Sequence, residues 1–141
     1  MIDNFTGEYS FLSNFHIVDV EYNGVIYKSS EHAYQAAKAT NKQDHSLIMN
    51  CNTPGKAKIL GSKIKLDNKE WDKQKFFIMY HIIKNKFSQN KDLMKKLLDT
   101  KDKMLIEGNT WGDTYWGVYK GIGNNYLGKI LMQVRSGINT F

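Results

Sequence analysis

The chain has 141 residues, 41% of them hydrophobic and 13% aromatic, with a single proline and a single cysteine. That is one domain's worth of chain with enough apolar material for a core, and it argues against disorder, an internal disulfide and a cysteine zinc cluster. The net charge of +6 is uneven: residues 56–103 hold fourteen of the twenty Lys and Arg and six of the fourteen Asp and Glu, so that stretch carries +8 and the remainder −2.

Met1-Ile2-Asp3-Asn4-Phe5 has neither a basic n-region nor an apolar h-region, so no signal peptide is expected. No apolar run approaches membrane-spanning length. A cytoplasmic, reducing compartment and no membrane partner are therefore expected.

Residues 17–28 read as a hairpin. Val18, Val20 and Tyr22 alternate with Asp19 and Glu21, Asn23-Gly24 is a two-residue turn, and Val25 to Tyr27 returns. A helix over 31–39 follows, capped by Ser29 or Ser30. Its Glu31, Gln35 and Lys38 share one face, with Tyr34 beside them. Thr53-Pro54 starts a second helix, and Trp71-Asp72 opens a longer one reaching about Phe87. A short helix is expected over Asp92 to Leu98, a strand over Lys103 to Glu107, and a last helix from Asn124 or Asn125 to a stop at Gly137. The pattern predicts a single α+β domain over 1–141, mainly helical, with a small antiparallel sheet.

Four places could carry chemistry. The run Gly7 to Phe15 sets Phe11 beside Ser13 and Asn14, rings and hydrogen-bonding groups of the kind a nucleobase or ribose site uses; it could equally be a buried strap. Glu31 and Lys38 offer a general acid or base with an amine nucleophile, or else an exposed ion pair. Trp111 to Gly117 surrounds Asp113 with aromatics, including Trp116, on a glycine-punctuated loop that could wall a flat heterocycle or cover a core. Gly121 to Asn125 leads into the last helix and could present N–H groups to a phosphate, with Asn124 at its edge. His16, His32, His45 and His81 are scattered and form no metal set, and His32 points about 100° away from Glu31 on the helix.

In order and spacing these segments resemble the NADAR family, the YbiA-like N-glycosidases. The resemblance runs from Gly7-Glu8 and Phe11 to Phe15, through Ser30 to Ala36 and Lys38, to Trp71-Asp72, Lys86 to Asn90, Glu107, Asp113, Trp116-Gly117, Gly123-Asn124 and Arg135. It implies a largely helical α+β fold and N-glycosidic hydrolysis with no metal or other cofactor. The substrates implied are a ribosylaminopyrimidine phosphate of riboflavin synthesis, or guanine carrying ADP-ribose, free or in nucleic acid. It further implies that Glu31, Lys38 and Asp113 are catalytic, and that Phe11, Ser13, Asn14, Trp71, Trp116, Gly117 and Asn124 bind substrate. The basic 56–103 stretch suits a DNA contact. The rival expectation is a non-catalytic ADP-ribose or nucleic-acid binding module.

Overall fold

A computed structural model of the chain describes residues 1–137. It has the expected architecture, mainly helical with one two-stranded antiparallel sheet. By contacts the chain divides into two compact units, a central one over Asn14–Gln89 and a terminal one formed by Met1–Ser13 with the residues from Asn90 onward.

The central unit begins with the hairpin β1 (Val20–Tyr22) and β2 (Val25–Tyr27), which pairs Val20 with Tyr27, Glu21 with Ile26 and Tyr22 with Val25. Asn23 (φ 51°) and Gly24 (φ 78°) both occupy the left-handed region that such a turn requires. Helix α1 (Ser30–Ala36) follows, with the Ser29 side chain accepting from the His32 N–H as N-cap. All seven α1 residues are buried, because α2 (Lys42–Met49), α3 (Pro54–Ser62), α4 (Asn68–Gln89) and β1 all pack against this one helix. The far end of α4 ties down the hairpin: Gln89 accepts from the Glu21 N–H at 2.8 Å and donates to the Glu21 carbonyl at 3.0 Å, where Asn85 donates as well.

One helix is unexpected and two boundaries differ from expectation, the first being the end of α1 at Ala36 rather than 39. Helix α2 is additional to the expected elements: Ile48 is its one buried residue, so it has no apolar stripe to read, and Asn41 starts it by accepting from the Asp44 N–H. Helix α4 begins at Asn68 rather than Trp71, because Asp67 Oδ1 accepts from the N–H groups of Lys69 and Glu70.

In the terminal unit a 3₁₀ turn over Gly7–Leu12 buries Phe11 and Leu12. Helices α5 (Lys91–Asp99) and α6 (Tyr126–Ser136) lie close to their expected spans. The strand expected over Lys103 to Glu107 is instead a single parallel bridge between Ile2 and Leu105. Asn125 fixes the start of α6: it sits at φ 54°, accepts from the Glu107 N–H at 2.9 Å and donates to the Leu105 carbonyl at 2.9 Å. Gly137, at φ 72°, closes α6 as expected.

Candidate active site

In the central unit the chemistry gathers around α1. Asn14 anchors the start of that helix: its carbonyl accepts from the Glu31 N–H at 3.1 Å, and its side-chain oxygen accepts from the Ser30 hydroxyl at 2.9 Å. At 8% exposure, this residue, expected to touch substrate, is engaged in holding Glu31 in place.

His32 is likewise structural. Its Nε2 lies 2.9 Å from the Cys51 carbonyl, which can only accept, so Nε2 carries the proton. In the neutral ring Nδ1 then accepts from the Ser29 hydroxyl at 2.7 Å. The histidine thereby couples the cap of α1 to the chain just after α2.

Glu31 is 6% exposed, and its Oε1 accepts from Gln35 Nε2 at 3.0 Å, one helical turn away. Helix α1 ends at Ala36, yet the chain makes one more tight turn in which the Lys38 N–H donates to the Gln35 carbonyl. That turn keeps Lys38 beside the same face. Lys38 Nζ lies 5.6 Å from the centre of the Tyr34 ring and 5.8 Å from that of Trp71. The two rings are themselves 5.4 Å apart, tilted at 54°. Burial pushes the Lys38 ammonium below its ordinary value; Glu31 pulls it back up, while Lys75 and Lys58 push it further down. The expected Glu31, Lys38 and Trp71 therefore belong to one cluster. Gln35, Lys58 and Lys75 join it without having been assigned a role from sequence, although the four-residue spacing of Gln35 from Glu31 is a usable signal.

The terminal unit holds the second group. Asp113 Oδ1 accepts from the N–H groups of Tyr115 (3.0 Å) and Trp116 (2.9 Å), an Asx turn that sets the direction of the aromatic loop. Asn109 braces the same turn, accepting from the Asp113 N–H and donating to its carbonyl. Trp116 stands edge-on to Tyr115 at 4.6 Å, and Tyr115 in turn meets Tyr126 at 4.8 Å. Gly117 is buried where a Cβ would meet the Glu107 carbonyl at 2.1 Å, so only glycine fits that crossing. Asn124 is exposed, and its N–H donates to the Thr114 carbonyl. Ser13 is half-buried, its N–H closing the 3₁₀ turn on the Ser10 carbonyl. Phe11 is 4% exposed beneath Lys96, whose Nζ lies 5.8 Å from its ring centre, so it presents no open stacking face.

A cavity of about 370 Å³ lies elsewhere in the central unit, lined by residues such as Asn41, Asp44, Leu47 and Lys63, and contains none of the expected site residues. Among the described residues no helix is long and apolar enough to cross a membrane, and no group of three or more His, Cys, Asp and Glu is placed to hold a metal ion. Lys86 is fully buried, with Nζ 5.3 Å from the Phe87 ring centre, which removes it from the basic surface.

A buried carboxylate, a partly desolvated lysine and two aromatic rings are thus grouped on one helical scaffold. The family described as the NADAR domain matches residues 3–139, a span running through both units. An N-glycosidase of Acanthamoeba polyphaga mimivirus is 38% identical over 125 residues, covering 77% of this chain and 73% of that protein. A riboflavin biosynthesis protein of Vibrio vulnificus is 31% identical over 133 residues, covering 90% of this chain and 35% of that longer protein. The NMR structure of the Escherichia coli protein YbiA superposes with a TM-score of 0.83 at 30% identity, covering 97% of this chain and 86% of that one. The chain belongs to the NADAR family, as a YbiA-like N-glycosidase.

Proposed function

We propose that this N-glycosidase hydrolyses the bond between a phosphorylated ribose and an amino-bearing base, with Lys38 as the nucleophile and Glu31 as its base. The observation that carries the reading is the Lys38 amine, pushed below its ordinary value by burial and by Lys75 and Lys58, beside Glu31 and against the rings of Tyr34 and Trp71. A desolvated lysine is neutral often enough to attack carbon.

The Nζ lone pair forms a bond to ribose C1 as the bond from C1 to the base nitrogen breaks, and Glu31 takes the proton that Nζ loses. The departing nitrogen takes up a proton and leaves as the free amino base. Opening of the ribose ring gives a Schiff base between C1 and Lys38. One water then hydrolyses it, releasing the sugar phosphate and the free lysine. Trp71 serves as a stacking wall for the substrate. Asp113 is the candidate donor of the proton to the leaving base, and Ser13, Trp116, Gly117 and Asn124 are candidate substrate contacts.

Two substrates fit this chemistry, a ribosylaminopyrimidine phosphate and guanine bearing ADP-ribose. The Vibrio vulnificus relative supports the first. The exposed lysines of the 56–103 stretch, including Lys63, Lys65, Lys69 and Lys73, support a polyanion such as DNA and hence the second. A cytoplasmic location suits both.

The test is turnover of both compounds, side by side, by wild type and Glu31→Ala, with borohydride added during turnover. Cleavage of either by wild type alone, with a reduced sugar adduct on Lys38, is the expected result. Cleavage without an adduct removes the lysine route in favour of water activated by Glu31. Tight binding of ADP-ribose by both proteins with no cleavage replaces the enzyme with a binding module.

A further inference from the structure

Gln35 is 4% exposed, yet its side-chain oxygen has no hydrogen-bond partner. A buried amide oxygen left unpaired has lost its water and gained nothing in return, so the arrangement calls for a reason. The nitrogen of the same amide donates to Glu31 Oε1 at 3.0 Å. Turning the amide over would set its oxygen against a carboxylate oxygen, two acceptors facing each other. The orphaned oxygen is thus the consequence of giving the donor end of the amide to Glu31.

The far side of the amide is equally constrained. A Cβ on Gly61 would stand 1.9 Å from Gln35 Oε1 and 2.7 Å from its Cδ. Gly61 is itself buried in α3, and it adopts no positive φ that would require glycine for backbone reasons. What glycine supplies here is room for the Gln35 side chain, whose amide nitrogen is engaged with Glu31.

We propose that Gln35 is a positioning residue for the N-glycosidase reaction, held between Gly61 and Glu31 so that its amide, donating to Oε1, fixes the direction of the Glu31 carboxylate for proton exchange. The inference rests on the reading above, in which Glu31 is the base. An amide donor aimed at one carboxylate oxygen fixes the rotation of the group, and with it the direction in which a proton is exchanged. A carboxylate free to rotate would divide itself between two oxygens and a range of angles, which lowers the rate without weakening substrate binding.

The experiment measures kcat, KM and melting temperature for wild type, Glu31→Gln, Gln35→Met and Gln35→Asn with a ribosylaminopyrimidine phosphate and with ADP-ribosylated guanine DNA. Methionine matches glutamine in length but cannot donate, whereas asparagine keeps the amide on a shorter arm. Gln35→Met is expected to lower kcat by on the order of 100-fold with KM within about threefold of wild type, and Gln35→Asn to recover part of that loss. Should Gln35→Met fail to fold, Gln35→Asn decides alone: a reduced kcat at unchanged KM supports positioning, and a wild-type kcat overturns it. A raised KM at unchanged kcat in either variant overturns it too, since Gln35 then acts in binding. Full turnover by Gln35→Met while Glu31→Gln is inactive overturns the positioning role alone. Full turnover by Glu31→Gln overturns the catalytic reading of Glu31 and this inference with it.

Discussion

Lys38 Nζ lies 5.8 Å from the centre of the Trp71 ring, placing the amine against the face of an indole rather than in open water. Two effects compete there. The ring attracts a cation, by about 0.5–1 kcal/mol where water is present and about 2 where it is not. The same ring excludes the water that would solvate the ammonium, and burial is the largest influence on Lys38. Truncating Trp71 to alanine removes the cation–ring contact but lets water reach Nζ, and hydration of an ammonium outweighs a water-exposed ring contact. Trp71→Ala is therefore expected to return Lys38 towards its ordinary value and to move the pH of half-maximal borohydride trapping upward. Trp71→Phe, which keeps a ring in place, is expected to move it less. A downward move in Trp71→Ala would show that the ring stabilises the cation more than it shields it.

The lowered Lys38 value also makes a statement about stability. The unfolded chain binds this proton at the ordinary value of 10.5 and the folded chain at a lower one. Between the two, the unfolded state carries more protons, so this group's contribution to stability rises with pH across that window. Below the window both states are charged and the folded one bears the full penalty of burying an ammonium. Tyr22 and Tyr27 act in the opposite sense, since burial raises both and their contribution changes as pH climbs through 10.0. The comparison is therefore with Lys38→Met. Urea midpoints taken across alkaline pH are expected to show the stability of wild type relative to Lys38→Met increasing within the window. A constant difference would mean that Lys38 titrates alike in both states.

Much of this arrangement is legible in the sequence because it rests on local chemistry. Asn23-Gly24 dictates its turn, Ser29 and Thr53 their caps, and the spacing of Glu31, Gln35 and Lys38 their shared face. What escapes depends on partners distant in sequence. Nothing local says that Asn14 spends its polar groups on Ser30, Glu31 and Met79, or that Lys86 is buried within a lysine-rich stretch. Helix α2 escapes for another reason: with Ile48 alone buried it shows no helical stripe, and tertiary packing completes what propensity leaves weak.

Gly61 is where a routine stabilising substitution should fail. In a helix interior Ala is ordinarily favoured over Gly by about 1 kcal/mol. Here the added methyl would overlap the Gln35 side chain, and overpacking of this kind costs about 1–3 kcal/mol. Gly61→Ala is thus expected to lower the urea midpoint and to disturb the contact between Gln35 and Glu31. In a Gln35→Ala background the two closest overlaps are gone and only the 3.0 Å approach to Cβ remains, so the same substitution is expected to cost clearly less. Equal effects in both backgrounds would place the strain elsewhere in α3.

Asn125 is expected to be among the costlier polar positions to truncate. Alanine there abandons the Glu107 N–H and the Leu105 carbonyl and forces a residue with a Cβ to remain at φ 54°. Two lost partners at about 1 kcal/mol or more each, with a further contribution from the left-handed backbone, put Asn125→Ala at roughly 3 kcal/mol. Asn125→Gly loses the same hydrogen bonds but not the backbone fit, and is expected to be about 1 kcal/mol less destabilised than alanine. If alanine and glycine prove equal by denaturant midpoint, side-chain bonding alone holds the start of α6.

Asp113 separates a structural from a chemical role through two substitutions. Its Oδ1 organises the loop by accepting from the N–H groups of Tyr115 and Trp116. The variant Asp113→Asn can keep both bonds through the carbonyl oxygen of the new amide, but it has neither the charge nor the exchangeable proton of a carboxyl. Asp113→Ala loses the bonds as well, which should loosen the Tyr115 and Trp116 pair by about 1–2 kcal/mol of local stability. If Asp113 gives a proton to the leaving base, Asp113→Asn is expected to keep wild-type tryptophan fluorescence and melting temperature while kcat falls on the order of 100-fold. If its work is to shape the loop, Asp113→Asn is expected to turn over like wild type, and only Asp113→Ala to lose activity together with the near-ultraviolet signal of the Tyr115–Trp116 contact.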